Sequence, residues 1–173
     1  MSTIHFTATP YRIGSWTILR LPKTVSAKFP SRGMAMAEGT INGSSFQLAL
    51  EPDGKGSHWF KIEKAMKVEA GDDVAFALEP MKEWPEPAVP ADLKKALAAA
   101  DPKVREIWNG TTVMARWDWI RWVRMSKNPE TRKKHIQVAC SKMKAGEKRP
   151  CCFNRSMCTE PDVSKGGVLI DPV

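Results

Sequence analysis

Three tryptophans are interleaved with three arginines between residues 116 and 124, and both residue types suit contact with nucleic acid or another polyanion. Aromatic faces can stack on bases, while guanidinium groups can clamp phosphates. Residues two apart on a helix point about 200° away from each other, so Trp117 and Trp119 cannot occupy one face. Two interpretations stay open: a binding surface, or a core filled by Trp117 with the other rings sealing the junction between two halves of the chain. The members of this cluster are Arg116, Trp117, Trp119, Arg121, Trp122 and Arg124.

The net charge of +8 lies entirely in the second half of the chain, which favours an anionic partner for that half. Residues 1–87 carry ten Lys or Arg and ten Asp or Glu, whereas residues 88–173 carry 17 and nine. Such a one-sided field attracts nucleic acid, acidic protein or anionic lipid headgroups. The plain alternative is a solvated helical face that keeps a small protein soluble. We predict the anion-binding residues to be Arg116, Arg121, Arg124, Lys127, Arg132, Lys133 and Lys134.

The region from Trp117 to Lys144 has the pattern of helix, short break and helix, an outline compatible with a helix-turn-helix. Basic residues near the start of the second helix, Arg132–Lys134, could then reach phosphates or guanine edges. Any two packed helices share this outline, so a general electrostatic contact with a polyanion is the broader expectation.

All four cysteines lie in the last third of the chain, which is typical of reduced thiols and not of a disulfide scaffold. The sequence contains no Cys-x-x-Cys pair, so we expect no metal site, and we expect no cofactor. Cys151 or Cys152 could be a reactive thiol, because neighbouring Lys148 and Arg149 favour the thiolate. Cys140 falls on the apolar stripe of a predicted helix and is expected in the core.

The three histidines, His5, His58 and His135, belong to no nucleophile or metal motif, and the sequence has no Gly-rich phosphate loop. We interpret His58 as an ordinary strand histidine. The lack of a catalytic signature favours a non-enzymatic binding protein. A small-molecule or enzyme site between the two halves is an alternative, since ligand sites often lie between domains. Its expected lining is Trp59, Trp117 and Trp122.

The first half has the pattern of a small β-barrel, with about six short strands at close spacing. Asn42 followed by Gly43 is typical of a tight hairpin turn, and residues 63–68 could form one helical turn. Closure of such a sheet removes its exposed edges. The predicted strands are residues 4–8, 16–21, 33–40, 46–50, 58–62 and 74–78.

Four prolines within residues 80–90 interrupt the strand pattern and predict a stiff, extended linker. Beyond it, apolar residues recur at helical spacing. Asp101-Pro102 and Asn128-Pro129 each combine a residue suited to the N-cap with proline at the first helical position. Residues from Pro161 to Val173 are expected to be weakly ordered. The third of the predicted helices should bury Val113, Trp117, Ile120 and Val123.

Short segments in a characteristic order run through both halves of the chain. In the second half they are Val89–Leu97, Trp122–Val123, Ser126–Lys127, Glu130–Arg132 and Ala145–Phe153, and this series resembles the family described as bacteriocin-protection, YdeI or OmpD-associated. The first half resembles a small bacterial domain of unknown function through Gly39–Gly43 and Ala70–Val74. The resemblance spans about residues 3–155. It implies a double-split-type β-barrel followed by a helical module, and it implies an association with bacteriocin protection without a mechanism.

Together these patterns predict an α+β protein. The expected parts are a β-barrel at residues 1–79, a linker at 80–90, a basic module of about four helices at 91–155 and an irregular tail at 156–173. The N-terminus lacks a signal-peptide pattern and no window approaches the roughly 18 apolar residues of a membrane span, so we expect a cytoplasmic bacterial protein. We expect the helical module to bind an anionic partner such as nucleic acid. Protection against antimicrobial peptides and small-molecule binding at the junction are the alternatives.

Overall fold

Seven antiparallel strands form a curled sheet, a half-barrel, in the N-terminal part of the computed structural model, which describes residues 3–150 and 153–172. The order of the strands in the sheet is β1-β7-β4-β5-β6-β3-β2. A short helix, α1, covers Lys23–Ser26, and a 3₁₀ turn covers Lys64–Met66. The strands are β1 (Ile4–Ala8), β2 (Tyr11–Ile13), β3 (Trp16–Arg20), β4 (Ala35–Ile41), β5 (Ser44–Pro52), β6 (His58–Lys61) and β7 (Val74–Pro80).

The chain divides into two compact units. The sheet unit contains the residues up to Glu83, together with Arg155–Cys158 and the residues from Asp162 onward. The helical unit contains Trp84–Asn154 and Thr159–Pro161. The α+β class, with a barrel-like sheet followed by helices, is therefore confirmed.

The hairpin between β4 and β5 confirms the turn predicted from Asn42 and Gly43. Both residues have positive φ angles, 48° and 87°, and the ladder begins at once with Ile41 opposite Ser44. Two positive φ angles are what a two-residue turn of type I′ requires, and asparagine followed by glycine tolerates them best. The sequence analysis missed β2 and α1, because three and four residues are too few to show a period.

Four helices make up the helical unit, and three side-chain caps fix where they begin. Asp101 and Asn128 accept hydrogen bonds from backbone N–H groups of the next turn, at 2.9 Å from Lys103 and 2.9 Å from Glu130, with proline at the first helical position in both cases. Thr112 caps the third helix in the same way. Both predicted Pro-led helix starts are confirmed. The helices are α2 (Ala91–Ala99), α3 (Pro102–Gly110), α4 (Val113–Arg124) and α5 (Pro129–Lys144).

The core of the helical unit corrects the expectation for the tryptophans. Trp119 is fully buried, whereas Trp117 and Val113 are only half-buried. The indole N–H of Trp119 donates to the carbonyl of Lys148 at 3.0 Å, which satisfies the polar atom of the buried ring. Ile120 and Val123 are buried as predicted, whereas Trp119 takes the core position expected for Trp117. The residues packed into this core are Leu93, Leu97, Val104, Trp108, Trp119, Ile120, Val123, Ile136, Ala139 and Met143.

The C-terminal segment is not the weakly ordered tail that was expected. Ser164–Lys165 and Val168–Leu169 form a second small sheet, strands β8 and β9, around Gly166 and Gly167 with positive φ angles. Val163 and Leu169 are buried against Ile18 and Trp59 of the sheet unit. The expectation failed because two-residue strands leave no alternation in the sequence, although their apolar side chains find a core elsewhere in the chain.

Candidate functional site

A groove of about 580 Å³ runs between α2 and α5 on the surface of the helical unit. Residues at spacings of three and four on each helix form its walls, as expected for one face of a helix. One end of the groove lies at the start of α5, where Asn128 caps the first turn. The residues lining the groove are Asp92, Lys95, Ala96, Ala99, Lys127, Pro129, Arg132, Lys133, Ile136 and Gln137.

The floor of the groove is apolar. Ile136 is buried there, with 6% of its surface exposed, and Ala96 beside it is half-buried. Ala99, which is exposed, is the other short apolar side chain along α2. Because alanine ends at the β-carbon, the groove stays open along α2 where a leucine would fill it. An apolar surface of this kind can bury the hydrocarbon part of a ligand.

The rim of the groove is cationic. Among its described lining residues, Asp92 is the one carboxylate, and Arg132 occupies both of its oxygens through bonds of 2.7 and 3.1 Å. The hydrogen bond from Arg132 lowers the pKa of the Asp92 carboxyl, so this pair is ionised at neutral pH. Lys95 and Lys133 are exposed, and neither has a carboxylate within ion-pair distance in the described part of the chain. The rim therefore keeps an excess of positive charge.

Three of the seven predicted anion-binding residues, Lys127, Arg132 and Lys133, line this groove. Lys134 is exposed on α5 and Arg124 is half-buried on α4, and neither lines the groove. The sequence analysis did not identify Lys95, Ala96 or Ile136 as site residues. Their helical spacing is visible in the sequence, but which helices pack side by side is not.

Arg116 and Arg121 are held inside the helical unit. Arg116 binds both oxygens of Glu86, at 3.0 and 2.5 Å, and donates to the carbonyls of Trp108 and Thr111. Arg121 has 0% of its surface exposed, with Asp118 at 3.9 Å. Arg121 is fully buried and Arg116 is occupied by Glu86 and two carbonyls, and neither residue lines the groove.

The three tryptophans expected around a junction pocket each pack against different residues. Trp59 lies in the sheet unit, where its indole N–H donates to the carbonyl of Pro52. Trp117 donates to the carbonyl of Pro85, and Trp122 stacks on His135 with ring centres 4.7 Å apart, both within the helical unit. The junction pocket stays a prediction.

The cysteines give no further support for chemistry at a thiol. Cys158 is buried, and partial burial raises the pKa of the Cys140 thiol, which keeps it protonated. Cys151 and Cys152, the predicted reactive thiols, lie outside the described residues. Within the described ranges, no three His, Cys, Asp or Glu side chains come together in a way that could hold a metal ion. None of the helices described has the length and apolar composition that crossing a bilayer requires.

A buried serine–histidine pair in the sheet unit was missed by the sequence analysis. The Oγ of Ser26 lies 2.6 Å from Nδ1 of His58, and Nε2 of the same ring lies 2.7 Å from the carbonyl oxygen of Gly33. A carbonyl can only accept, so Nε2 carries the proton and Nδ1 accepts from the Ser26 hydroxyl. Both side chains are fully buried, with 0% of each residue exposed. This excludes access by a substrate, and the pair instead ties residues 26–33 to β6.

The His58 pair makes the sheet unit sensitive to acid. Burial lowers the pKa of the His58 imidazole below its usual 6.5; nearby Arg32 acts in the same direction, while the Gly33 carbonyl and Asp53 oppose it. Below about pH 6.5 the unfolded chain binds a proton that the folded chain refuses, so stability is complete above this pH and falls as the pH decreases. We expect His58 to contribute up to about 1.4 kcal/mol of lost unfolding free energy per pH unit in this range. Urea unfolding between pH 5 and 8 should show a shallower pH dependence in His58→Gln than in the unsubstituted protein. Equal slopes would contradict the assignment.

Two family descriptions account for most of the chain. Residues 2–78 match the domain of unknown function DUF1905, and residues 86–146 match the family described as bacteriocin-protection, YdeI or OmpD-associated. No curated protein matches the sequence. The first match covers β1–β6 and most of β7, and the second contains α2–α5 and the groove between α2 and α5. Residues 2–78 and 86–146 thus match, in the same order along the chain, the domain of unknown function and the bacteriocin-protection, YdeI or OmpD-associated family that the sequence resembles.

Proposed function

We propose that the protein is a non-enzymatic binding protein whose helical unit holds an anionic partner in the α2–α5 groove. The observation that carries this proposal is the positive charge at the rim of the groove. Lys95 and Lys133 face the groove without a carboxylate partner in the described chain, while the only carboxylate lining it is already bound by Arg132. An anion that enters the groove therefore meets positive charge that the fold has not neutralised.

Four further cations of the helical unit are paired with acids of the same unit. This limits the surface that a long polyanion could use, since phosphate backbones are held by several unneutralised cations in a row. Nucleic acid is thus supported less well than a partner that needs only the groove. The compensated pairs are Arg116–Glu86, Lys142–Glu147, Lys144–Asp101 and Arg149–Asp118.

Charge reversal at the rim tests this proposal. The double variant Lys95→Glu/Lys133→Glu should weaken binding of anionic probes by about 10- to 100-fold, because two attractive contacts become repulsive. Suitable probes are mixed-sequence DNA, mixed-sequence RNA, a polyglutamate peptide and a single-chain carboxylate, each titrated at low and moderate salt. Affinity is measured by calorimetry, and contact with the groove by the backbone amide resonances of α2 and α5.

The chain offers a matched control in Lys94→Glu/Lys134→Glu. Each of these lysines neighbours a rim lysine on the same helix and is exposed, but it does not line the groove. The control changes the net charge by the same amount and should retain binding to within about threefold if only long-range attraction is altered. Equal loss in both double variants would show that net charge, and not the groove, recruits the anion. No binding of any probe would refute the proposal.

A second candidate follows from the family description, which names bacteriocin protection. Capture of a cationic peptide is electrostatically unfavourable for the helical unit and would fall to the sheet unit. There, Glu38 and Glu79 are directly opposite on β4 and β7 and border a depression of about 440 Å³ with Phe46. A cationic peptide added to the probe panel distinguishes the two candidates. Binding that persists in Lys95→Glu/Lys133→Glu would favour the second.

A further inference from the structure

We propose that the occupant of the α2–α5 groove is a small amphiphilic anion: a carboxylate or phosphate head on an unbranched apolar chain. This inference rests on the proposed function and specifies the class of ligand. Three features of the groove lead to it, namely its size, its apolar floor and the position of its cations.

The size of the groove suits a small molecule. Pockets that hold drug-sized ligands measure roughly 300–1,000 Å³ and commonly lie between helices of a bundle. The space between α2 and α5, at about 580 Å³, falls within this range. Its walls come from two helices whose contact is fixed at one end by the Arg132–Asp92 pair, so the groove exists before a ligand arrives. A preformed groove avoids part of the ordering cost of binding.

The floor requires a ligand with a hydrocarbon part. Ala96, Ala99 and Pro129 present apolar surface beside the buried Ile136, and the phosphates and sugars of a nucleic acid would leave this surface unburied. A hydrocarbon chain would cover this surface, and each buried methylene strengthens binding by up to about fourfold. Affinity should therefore rise with chain length until the groove is filled.

The cations specify the head of the ligand. Lys95 lines the groove from α2 and Lys133 lines it from α5. Arg132 is committed to Asp92, so it positions the walls while the lysines meet the head group. A few lysines around one groove match the charge of one carboxylate or phosphate. Lysine acts as a point charge and accepts either head, so the chemistry shared by both is what the structure assigns.

A series of single-chain compounds tests this assignment by calorimetry below their micelle concentrations. Dodecanoate and dodecyl phosphate should bind, octanoate should bind at least about tenfold more weakly than dodecanoate, and acetate or inorganic phosphate should show no measurable binding. Dodecyltrimethylammonium, which has the same chain with a cationic head, should also fail to bind. The ratio between the carboxylate and the phosphate distinguishes which head group the rim prefers.

Two neighbouring alanines of α2 provide a matched pair of variants. Ala99 lines the groove and Ala98 does not, yet both are exposed, so a leucine at either position leaves the helical core intact. Ala99→Leu should weaken dodecanoate binding by tenfold or more, whereas Ala98→Leu should change it by less than twofold. The circular dichroism of both variants should match that of the unsubstituted protein.

The possible results separate this inference from the proposed function. If DNA or polyglutamate binds in a manner that depends on Lys95 and Lys133 while dodecanoate does not bind, the proposal of an amphiphilic ligand is wrong. The proposed binding of an anion in the groove is then supported. If dodecanoate and dodecyltrimethylammonium bind equally, or Ala98→Leu weakens binding as much as Ala99→Leu, the groove does not select an amphiphilic anion and the inference is wrong. If no anion of any kind binds, both proposals fail.

Discussion

Replacement of Trp119 by alanine should lower the free energy of unfolding of the helical unit by about 3–5 kcal/mol. This ring is fully buried, meets the ring of Trp122 edge-on at 6.2 Å, and donates its N–H to the Lys148 carbonyl. The substitution leaves a cavity between α4 and the other helices and also removes the partner of that carbonyl. Hydrogen exchange of the α4 and α5 amides measures the loss in this unit separately from the sheet unit.

Trp117→Ala is the matched control, because the same residue type lies two positions earlier on the same helix. Trp117 is half-buried and its N–H donates to the Pro85 carbonyl at 2.9 Å, so its removal should cost about 1–2 kcal/mol, clearly less than the loss at Trp119. A greater loss of unfolding free energy in Trp117→Ala than in Trp119→Ala would mean that Trp117 fills the core, as periodicity alone predicts. It would contradict the burial of Trp119 in preference to Trp117.

The parts of the fold that could be predicted from the sequence are those determined by neighbouring residues. The Asn42-Gly43 hairpin, the Asp101-Pro102 cap and the Asn128-Pro129 cap each depend on backbone angles and hydrogen bonds within about four residues. Asn42 also exchanges two hydrogen bonds with the backbone of Ala75, and these contacts support the turn that the local sequence already favours. Such positions are predictable because no distant contact competes with the local preference.

The buried face of α4 could not be predicted in the same way. With three tryptophans in six residues, several faces of the helix are apolar, and periodicity does not choose between them. The choice depends on what each ring meets, and Trp119 meets the carbonyl of Lys148, 29 residues further along the chain. The same limit applies to the Ser26–His58 pair, whose members are 32 residues apart.

The candidate site was predicted in part, for a reason that the ion pairs make clear. Of the cations predicted from local charge density, Lys127, Arg132 and Lys133 line the groove, and their binding of an anion stays a prediction. It also included Arg116, because Glu86, which binds it, is 30 residues away. Charge counts in a sequence cannot separate a cation that faces solvent from one that the fold has paired. The difference decides between a broad basic surface and a groove.

Ion pairing within the helical unit thus changes how the charge of +8 should be understood. A cation beside a carboxylate, such as Lys144 at 3.6 Å from Asp101, adds nothing to the net charge, so the excess of +8 lies on side chains without such a partner. At distances beyond the Debye length of about 8 Å, salt screens what remains. The sites that matter for a bound anion are consequently the short-range ones. In the helical unit, the rim lysines Lys95 and Lys133 meet this condition.

Leu169→Ala should lower the free energy of unfolding of the sheet unit by about 2–5 kcal/mol, an effect that a weakly ordered tail would not produce. Leu169 is 1% exposed and packs in the cluster that includes Ile18 and Trp59, while its N–H donates to the Asp53 carbonyl at 2.9 Å. The truncation removes buried methyl groups from a cluster that has few other members to fill the space. Ile170→Ala is the neighbouring control, since Ile170 is 39% exposed and its loss should cost less than about 1 kcal/mol. Hydrogen exchange of the β3 and β6 amides measures both losses in the sheet unit, since fluorescence from the seven tryptophans would mix the two units. Equal and small losses would mean that β8 and β9 are not bound to the sheet in solution.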